Sequence, residues 1–183
     1  ASLVESGLFI DVGSTTTDII PFYNHKIHAH GHNDQTRLRF DELVYTGVIR
    51  TPIMALTSKA IFNDQLQNIV AENFATTADI YRILGYLKDS NDLMETTDGE
   101  DKSISSSIRR LARMLGTDSN IANKKNNWHE LAKYFHEAQI GILTNAIKRV
   151  LSTLPNNHNM LVGAGVGRFL VEIIARRMNI SYT

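Results

Sequence analysis

A run of four hydroxyl residues stands between two aspartates near the start of the sequence. Residues 8–22 read LFIDVGSTTTDIIPF, in which Asp11 and Asp18 enclose Gly13, Ser14, Thr15, Thr16 and Thr17. Turn hydroxyls and backbone amides can donate to phosphate oxygens, and a glycine lets the backbone come close to a ligand. Carboxylates suit a hydrated Mg²⁺, which takes one or two of them together with waters and phosphate oxygens. Hydroxyl residues also satisfy the backbone of a turn without any ligand, so a phosphate-binding turn and a Ser/Thr-capped hairpin both stay open.

A second glycine-rich segment, GAGVG at residues 163–167, lies between a predicted strand and a predicted helix. Backbone can approach a ligand closely at such a place, and a helix N-terminus favours an anion. The spacing differs from GxGxxG, so the segment does not predict a dinucleotide-binding unit. Close packing of a helix against a strand is the other explanation for Gly163, Gly165 and Gly167.

The segment YTGVIRTP, residues 45–52, gathers polar side chains around a glycine and a proline. Tyr45, Thr46, Gly47 and Arg50 are therefore candidates for contacts with the organic part of a ligand. A tight turn without a ligand uses the same residue types, and both interpretations stay open.

Three histidines alternate in HAHGH, at His28, His30 and His32. On a strand all three would lie on one face, as metal ligands can. No carboxylate that would orient them is in view, and we expect an exposed hairpin face rather than a metal site.

Composition and charge exclude several classes of function. The chain has 183 residues, 43% of them hydrophobic, with 19 basic and 19 acidic residues and no cysteine. This length allows one sizeable core or two small ones, and zero net charge attracts neither nucleic acid nor an anionic membrane. Disulfides and cysteine nucleophiles are excluded. No apolar run reaches the roughly 20 residues of a membrane span, and we expect a soluble, cytoplasmic protein.

Apolar spacing and turn residues predict an α/β fold. Predicted strands at residues 8–10 and 19–22 enclose the turn, the end of a helix at residues 1–6 precedes it, and a third strand covers residues 25–34. The further predicted elements are a helix ending at Gly47, a hairpin around Asn63 and Asp64, a helix at 76–87, a polar connector at 88–107, helices at 107–116, 128–154 and 168–178, and strands before Gly163 and at 180–183. We divide the chain into residues 1–87, 88–127 and 128–183.

Five stretches together resemble the hydantoinase A/oxoprolinase family of the sugar-kinase, chaperone and actin ATPase superfamily. They are LFIDVGSTTTDIIPF, DELVYTGVIRTPIMAL, FATTADIYRILG, TTDGEDKSISSSIRRLARMLG and VGAGVGRFL. More narrowly, they are similar to the subgroup linked to tetrahydromethanopterin one-carbon metabolism and methanofuran biosynthesis. The resemblance implies an RNase-H-like, actin-like ATPase half, with a mixed sheet flanked by helices and a helical insertion. It implies that this is a C-terminal half whose N-terminal half belongs to the same gene product or to a second chain, and that this half alone is inactive. A homo-oligomer stays open.

The stretch DVGSTTTD is similar to the superfamily's second phosphate loop. This implies that Asp11 places metal or water, that residues 13–16 wrap phosphate oxygens, and that Asp18 supports the loop. The catalytic candidates are Asp11, Thr16 and Asp18, the Mg²⁺ ligands are Asp11 and Asp18, and residues 13–17 bind phosphate. The substrate or nucleotide side takes Tyr45, Thr46, Gly47, Arg50, Gly163, Gly165 and Gly167. The superfamily loop often has glycines at the positions of Ser14 and Thr15. The two side chains present here leave less room for the tail of a nucleoside triphosphate, which argues against ATP as the ligand.

Three functions are consistent with this resemblance. The first is a synthase that condenses a furan-methyl diphosphate with a tyramine-type amine and releases diphosphate. The second is an ATP-dependent hydantoinase or 5-oxoprolinase, and the third is a non-catalytic actin-like interaction module. In the RNase-H-like fold that the resemblance implies, strands 8–10 and 160–162 share one sheet. We then expect Thr15 or Thr16 and Gly165 to line one groove, with an anion preferred at the former and a planar or organic group at the latter.

Overall fold

The computed structural model describes residues 5–119, 125–155 and 160–183. Its regular elements, in chain order, are β1 (Ser6–Val12), β2 (Thr17–Tyr23), β3 (Lys26–Ile27), α1 (Asp34–Arg39), β4 (Leu43–Val44), β5 (Lys59–Phe62), β6 (Gln65–Asn68), α2 (Thr77–Ile83), α3 (Ile104–Met114), α4 (Lys125–Leu151), β7 (Met160–Ala164), α5 (Arg168–Met178) and β8 (Ser181–Tyr182). Short 3₁₀ turns lie at Ile53–Ala55 and Asp89–Asn91. The chain divides into two compact units, Ala1–Gly47 with Ile140–Thr183, and Val48–Gln139.

The first unit is built on a mixed sheet with strand order β3-β2-β1-β7-β8, and β4 also pairs with β2. β1 runs antiparallel to β2, whereas β1 and β7 are parallel, with Leu8 opposite Leu161 and Phe9 opposite Val162. The prediction that residues 8–10 and 160–162 share a sheet is therefore confirmed. The α/β class is confirmed as well, because helices flank this mixed sheet.

Alternation along β1 determines which face of the sheet is buried. Leu8, Ile10 and Val12 are fully buried, while Phe9 between them is 37% exposed. α5 packs on β1 and β7 and buries an apolar stripe of Leu170, Val171, Ile174 and Ala175. Burial of these side chains fixes the register of β1, since a shift by one residue would expose its apolar set.

The segment between β2 and β4 differs from its prediction. Only Lys26–Ile27 forms a strand in the predicted range 25–34, and the histidines at positions 28, 30 and 32 lie outside it. Asn33 caps α1 instead: its side chain accepts a hydrogen bond from the Thr36 amide, and the Thr36 hydroxyl accepts from the Asn33 amide. This reciprocal capping box starts a helix where we predicted the end of a strand.

Two other boundaries were wrong. Ser6 and Gly7 belong to β1 rather than to the end of a helix, and the rest of that predicted helix, residues 1–4, lies outside the described residues. The predicted helix ending at Gly47 stops at Arg39, after which Leu43 and Val44 pair with β2.

The second unit contains the predicted hairpin and helices, but α2 ends at Ile83 rather than at residue 87, because Gly85 with φ of 76° follows its C-cap. β5 and β6 pair around Asn63 and Asp64, which have φ of 50° and 62°, as a two-residue turn between twisted strands requires. Thr76 and Asp79 form a capping box at the start of α2, and Gly116 with φ of 66° follows α3. In the described part of the chain, no helix combines the length and apolar character needed to cross a membrane.

The predicted polar connector at residues 88–107 is not wholly on the surface. Asp92 is only 4% exposed, because its carboxylate pairs with the Arg82 guanidinium at 2.6 Å. α3 already begins at Ile104 inside this range, with Ser103 as its N-cap. The division into residues 1–87, 88–127 and 128–183 stays a prediction.

Candidate functional site

The hydroxyl turn joins β1 to β2 at the edge of the sheet. It is closed by a hydrogen bond of 2.9 Å from the Gly13 amide to the Thr16 carbonyl. Ser14, Thr15 and Thr16 are partly exposed, and the Ser14 and Thr15 hydroxyls lie 3.4 Å apart. Two or three hydroxyls at one turn can therefore donate to a single anion.

Thr17 differs from the other hydroxyl residues of the run. Its side chain is fully buried, and its hydroxyl donates to the Thr46 carbonyl at 2.7 Å. Thr46 is itself only 2% exposed. The Thr17 hydroxyl thus ties the end of the turn to the segment after β4.

Asp11 and Asp18 face each other across β1 and β2. They are directly opposite in the strand register, so their side chains leave the sheet on the same face. Arg37 of α1 approaches the Asp18 carboxylate at 2.7 Å and also donates to the Glu42 carbonyl. Asp11 accepts no hydrogen bond from the described residues. Of the two predicted Mg²⁺ ligands, Asp18 is therefore already paired with a cation and Asp11 is open.

Only one of the three predicted glycines in GAGVG contacts Asp11. Gly165 has φ of 78°, and a Cβ at this position would collide with the Asp11 carboxylate and the Val12 carbonyl. The backbone of the β7–α5 turn thus passes against the end of β1. The absence of a side chain at Gly165 is what allows this approach.

The other two glycines have packing contacts. The Tyr182 ring covers Gly163, since a Cβ there would lie 2.7 Å from the Tyr182 hydroxyl. Burial raises the pKa of Tyr182, and Glu172 raises it further, although Arg168 acts in the opposite direction. The Gly167 amide donates to the Val12 carbonyl at 2.9 Å. Close packing against Tyr182 is therefore sufficient to explain Gly163, whereas the amide hydrogen bond of Gly167 does not itself require a glycine.

The segment after β4 lies against the hydroxyl turn. A Cβ at Gly47 would come within 2.5 Å of the Thr15 amide nitrogen, so a glycine is required there. Tyr45 is 61% exposed. Arg50, predicted together with these residues, belongs to the second unit and lines a cavity there.

Sequence reasoning missed Arg37 and Glu42. The Glu42 carboxylate is 1% exposed and accepts from the His30 and Gly31 amides at 2.6 and 2.8 Å. Through these contacts Glu42 holds the 28–33 segment, and Arg37 holds α1 beside Asp18. Arg37 stands in none of the quoted stretches, and Glu42 stands in DELVYTGVIRTPIMAL without any feature that singles it out. Only the burial of the charged Glu42 side chain, which must be paired, would have revealed this pairing.

Comparisons with known proteins found one family and two named relatives that this chain resembles. A profile of the hydantoinase/oxoprolinase family matches residues 2–183. Two relatives carry the name (4-{4-[2-(gamma-L-glutamylamino)ethyl]phenoxymethyl}furan-2-yl)methanamine synthase. The relative from Methanocaldococcus jannaschii is 32% identical over 161 residues, which cover 88% of this chain and 48% of the relative. The relative from Methanococcus vannielii is 30% identical over 158 residues, which cover 86% of this chain and 70% of the relative.

This chain thus spans about half the length of the first relative. The family match covers nearly all of the chain and includes both the hydroxyl turn and the β7–α5 turn. The chain belongs to the hydantoinase/oxoprolinase family.

Proposed function

We propose that this chain is part of a synthase that forms a furan ether in methanofuran biosynthesis. The name of the two relatives describes a phenoxymethyl group on a furan, that is, a phenol oxygen bonded to a furan-bound methylene. The amine of the same molecule carries the glutamyl group. The nucleophile that we propose is therefore the phenol oxygen, in place of the amine that we expected from the sequence.

The proposed reaction is a substitution at the furan methylene. The phenol oxygen forms a bond to this carbon while the bond from the carbon to the diphosphate oxygen breaks. The electron pair leaves with diphosphate, and the phenol proton passes to water. Negative charge thus develops on the leaving diphosphate, and donors directed at that charge lower the barrier.

One observation carries this proposal: the partly exposed hydroxyl turn lies beside Asp11, whose carboxylate accepts no hydrogen bond from the described residues. Ser14, Thr15 and Thr16 are partly exposed and supply the donors. Thr15 and Thr16 bind the diphosphate in this proposal, and Tyr45 contacts the organic part. No covalent nucleophile is needed, because the phenol attacks directly.

Asp11 also fits a Mg²⁺ ligand. Mg²⁺ takes one or two carboxylates and fills its other positions with waters and phosphate oxygens. This agrees with the described residues, in which no three candidate ligand side chains cluster. Mg²⁺ held by Asp11 would neutralise charge on the bound diphosphate, and Asp18, paired with Arg37, would hold the turn in place.

The fold that we propose is the RNase-H-like, actin-like ATPase half. The strand order β3-β2-β1-β7-β8, in which β2 runs against β1 and β7 runs with it, supports this assignment. In such a fold a second half closes the site. We propose that the same gene product or a partner chain supplies it, and that Gly165 and Thr15 face it across one groove.

The test uses the full-length protein with γ-glutamyltyramine and an aminomethylfuran-methyl diphosphate. Mass spectrometry measures the ether product, and a coupled assay measures diphosphate. We expect one diphosphate per ether without ATP. Formation of ADP with opening of a cyclic amide would instead identify an ATP-dependent amidohydrolase.

A matched pair of variants tests the role of Asp11. Asp11→Asn is expected to lower kcat by about 10²-fold, the usual loss when one group that stabilises developing charge is removed. Asp34→Asn removes the same charge from an exposed position in α1 and should leave kcat unchanged. Full turnover of Asp11→Asn at saturating Mg²⁺ would refute the assignment.

A further inference from the structure

A polar cavity of about 270 Å³ lies within the second unit. Its lining includes six polar or charged residues from three segments: the residues before α2, α2 itself and the loop that follows it. They are Arg50, Asn73, Asp79, Arg82, Asp92 and Glu95. Nothing in the proposed diphosphate chemistry uses this cavity.

Asp79, Arg82 and Asp92 in the cavity lining are held in buried ion pairs, and this part of the lining is called the inner wall. The Arg82 guanidinium lies 2.6 Å from Asp92, and Arg110 lies 2.8 Å from Asp79. All four side chains are at most 5% exposed. Because removing charges from water is costly, such pairs hold their positions only through good mutual geometry. The inner wall is thus fixed in position.

The cavity lining also carries two exposed side chains of opposite charge that are not paired with each other. Arg50 and Glu95 are both exposed, and neither forms an ion pair with any residue in the described ranges. The Asn73 amide also makes no side-chain hydrogen bond within those ranges. One free cation, one free anion and a free amide therefore line the same opening.

The backbone on both sides of Arg50 is anchored. The Ala78 amide donates to the Ile49 carbonyl at 3.3 Å, and the Thr77 amide donates to the Thr51 carbonyl at 2.9 Å. Arg50 thus projects from a segment held to the first turn of α2. The conformational entropy lost when a ligand binds is therefore smaller than for a mobile loop.

We propose that this cavity binds an α-amino acid head group. The Arg50 fork matches a carboxylate, Glu95 matches an ammonium group, and Asn73 can donate to the carboxylate or accept from the ammonium. A head group of this size fits a cavity of about 270 Å³. γ-L-Glutamyltyramine, the phenol of the proposed reaction, carries such a head group, and its choice as the ligand rests on the proposed function.

Calorimetry on the full-length protein tests the site with γ-L-glutamyltyramine and with N-acetyltyramine, which keeps the amide but lacks the head group. Arg50→Gln and Glu95→Gln are each expected to raise the Kd of γ-L-glutamyltyramine about tenfold, as the loss of one charge-assisted hydrogen bond would. Neither variant should change the binding of N-acetyltyramine, and neither should change the melting temperature, since both side chains are exposed. Lys59→Gln and Glu100→Gln, exposed in the same unit and outside the cavity lining, are the matched controls and should leave both ligands unaffected.

The outcomes separate this site from the proposed function. Unchanged affinity for γ-L-glutamyltyramine in both variants, with ether formation intact, overturns the site and leaves the function. Equal weakening of N-acetyltyramine binding also overturns the site, because the head group would then not be what is recognised. Selective weakening in a protein that forms no ether supports the site and overturns the function.

Discussion

Replacing Gly165 with alanine tests the contact between the β7–α5 turn and Asp11. Gly165 has φ of 78°, and its Cβ would collide with Asp11 and with the Val12 carbonyl. Gly85 has φ of 76°, and no described atom lies within 4 Å of its Cβ position. Both alanine variants therefore have the same backbone strain, and only Gly165→Ala adds the collision.

The expected magnitudes follow from this difference. An alanine in the left-handed region costs about 1–2 kcal/mol, and this is the whole expected loss for Gly85→Ala. Overpacking adds about 1–3 kcal/mol, so Gly165→Ala should lose about 2–5 kcal/mol in total. Backbone atoms of Val12 take part in the collision, so rotation of a side chain cannot relieve it.

Urea unfolding followed by far-UV circular dichroism measures both losses, and calorimetry with diphosphate and Mg²⁺ measures the effect on binding. We expect Gly165→Ala to weaken diphosphate binding because the Asp11 carboxylate must move. Gly85→Ala should bind as the unchanged protein does. A loss of stability at Gly165 no larger than at Gly85 would refute the close contact between Gly165 and the end of β1.

Two further predictions concern the second unit. Arg110→Leu should lower the free energy of unfolding by about 3 kcal/mol, the low end for breaking a buried pair, because buried Asp79 then keeps only Arg82 at 3.4 Å, while partly exposed Asp98 keeps Arg109 and Arg113. Arg113→Leu, at an exposed position, should cost far less by the same urea measurement. Acid should also destabilise the protein: a hydrogen bond from the Ser103 side chain, with others, lowers the pKa of Asp101 from 3.8 to about 2. A carboxyl group whose pKa is lower in the folded state than in the unfolded state stabilises the fold fully above its unfolded pKa, and this stabilisation is lost as the pH falls through its folded pKa. The melting temperature should therefore fall between pH 4 and pH 2, and Asp101→Asn should make this fall smaller.

Local patterns predicted the elements that position the candidate site. The apolar arms around GSTTT predicted β1, β2 and their turn, and the apolar run before GAGVG predicted β7. These predictions depend on alternation and on turn residues that are adjacent in sequence. Pairing of β1 with β7 followed from the family resemblance rather than from any pattern between residues 8 and 164.

Side-chain contacts between distant segments could not be predicted in the same way. The Asp18–Arg37 ion pair leaves only Asp11 of the two predicted Mg²⁺ ligands without a cation beside it. Nothing in the sequence distinguishes Arg37 from other basic residues on short helices. Likewise Asp92 lies in a segment whose composition indicates a surface loop, and it is buried only because Arg82 is there to pair with it. Tertiary pairing overrides composition at these positions, and a single sequence does not display it.

The buried ion pairs of the second unit have a consequence for its behaviour at high temperature. The cost of removing a charged group from water falls as temperature rises, whereas hydrophobic stabilisation per unit area levels off. The pairs of Arg82 and Arg110 with Asp79, Asp92 and Asp98 should therefore contribute more favourably in a hot environment than in a cold one. Because they are buried, salt screens them little. As temperature rises, the stability of the second unit should therefore be retained better than that of the sheet in the first unit, whose described core consists mainly of aliphatic side chains.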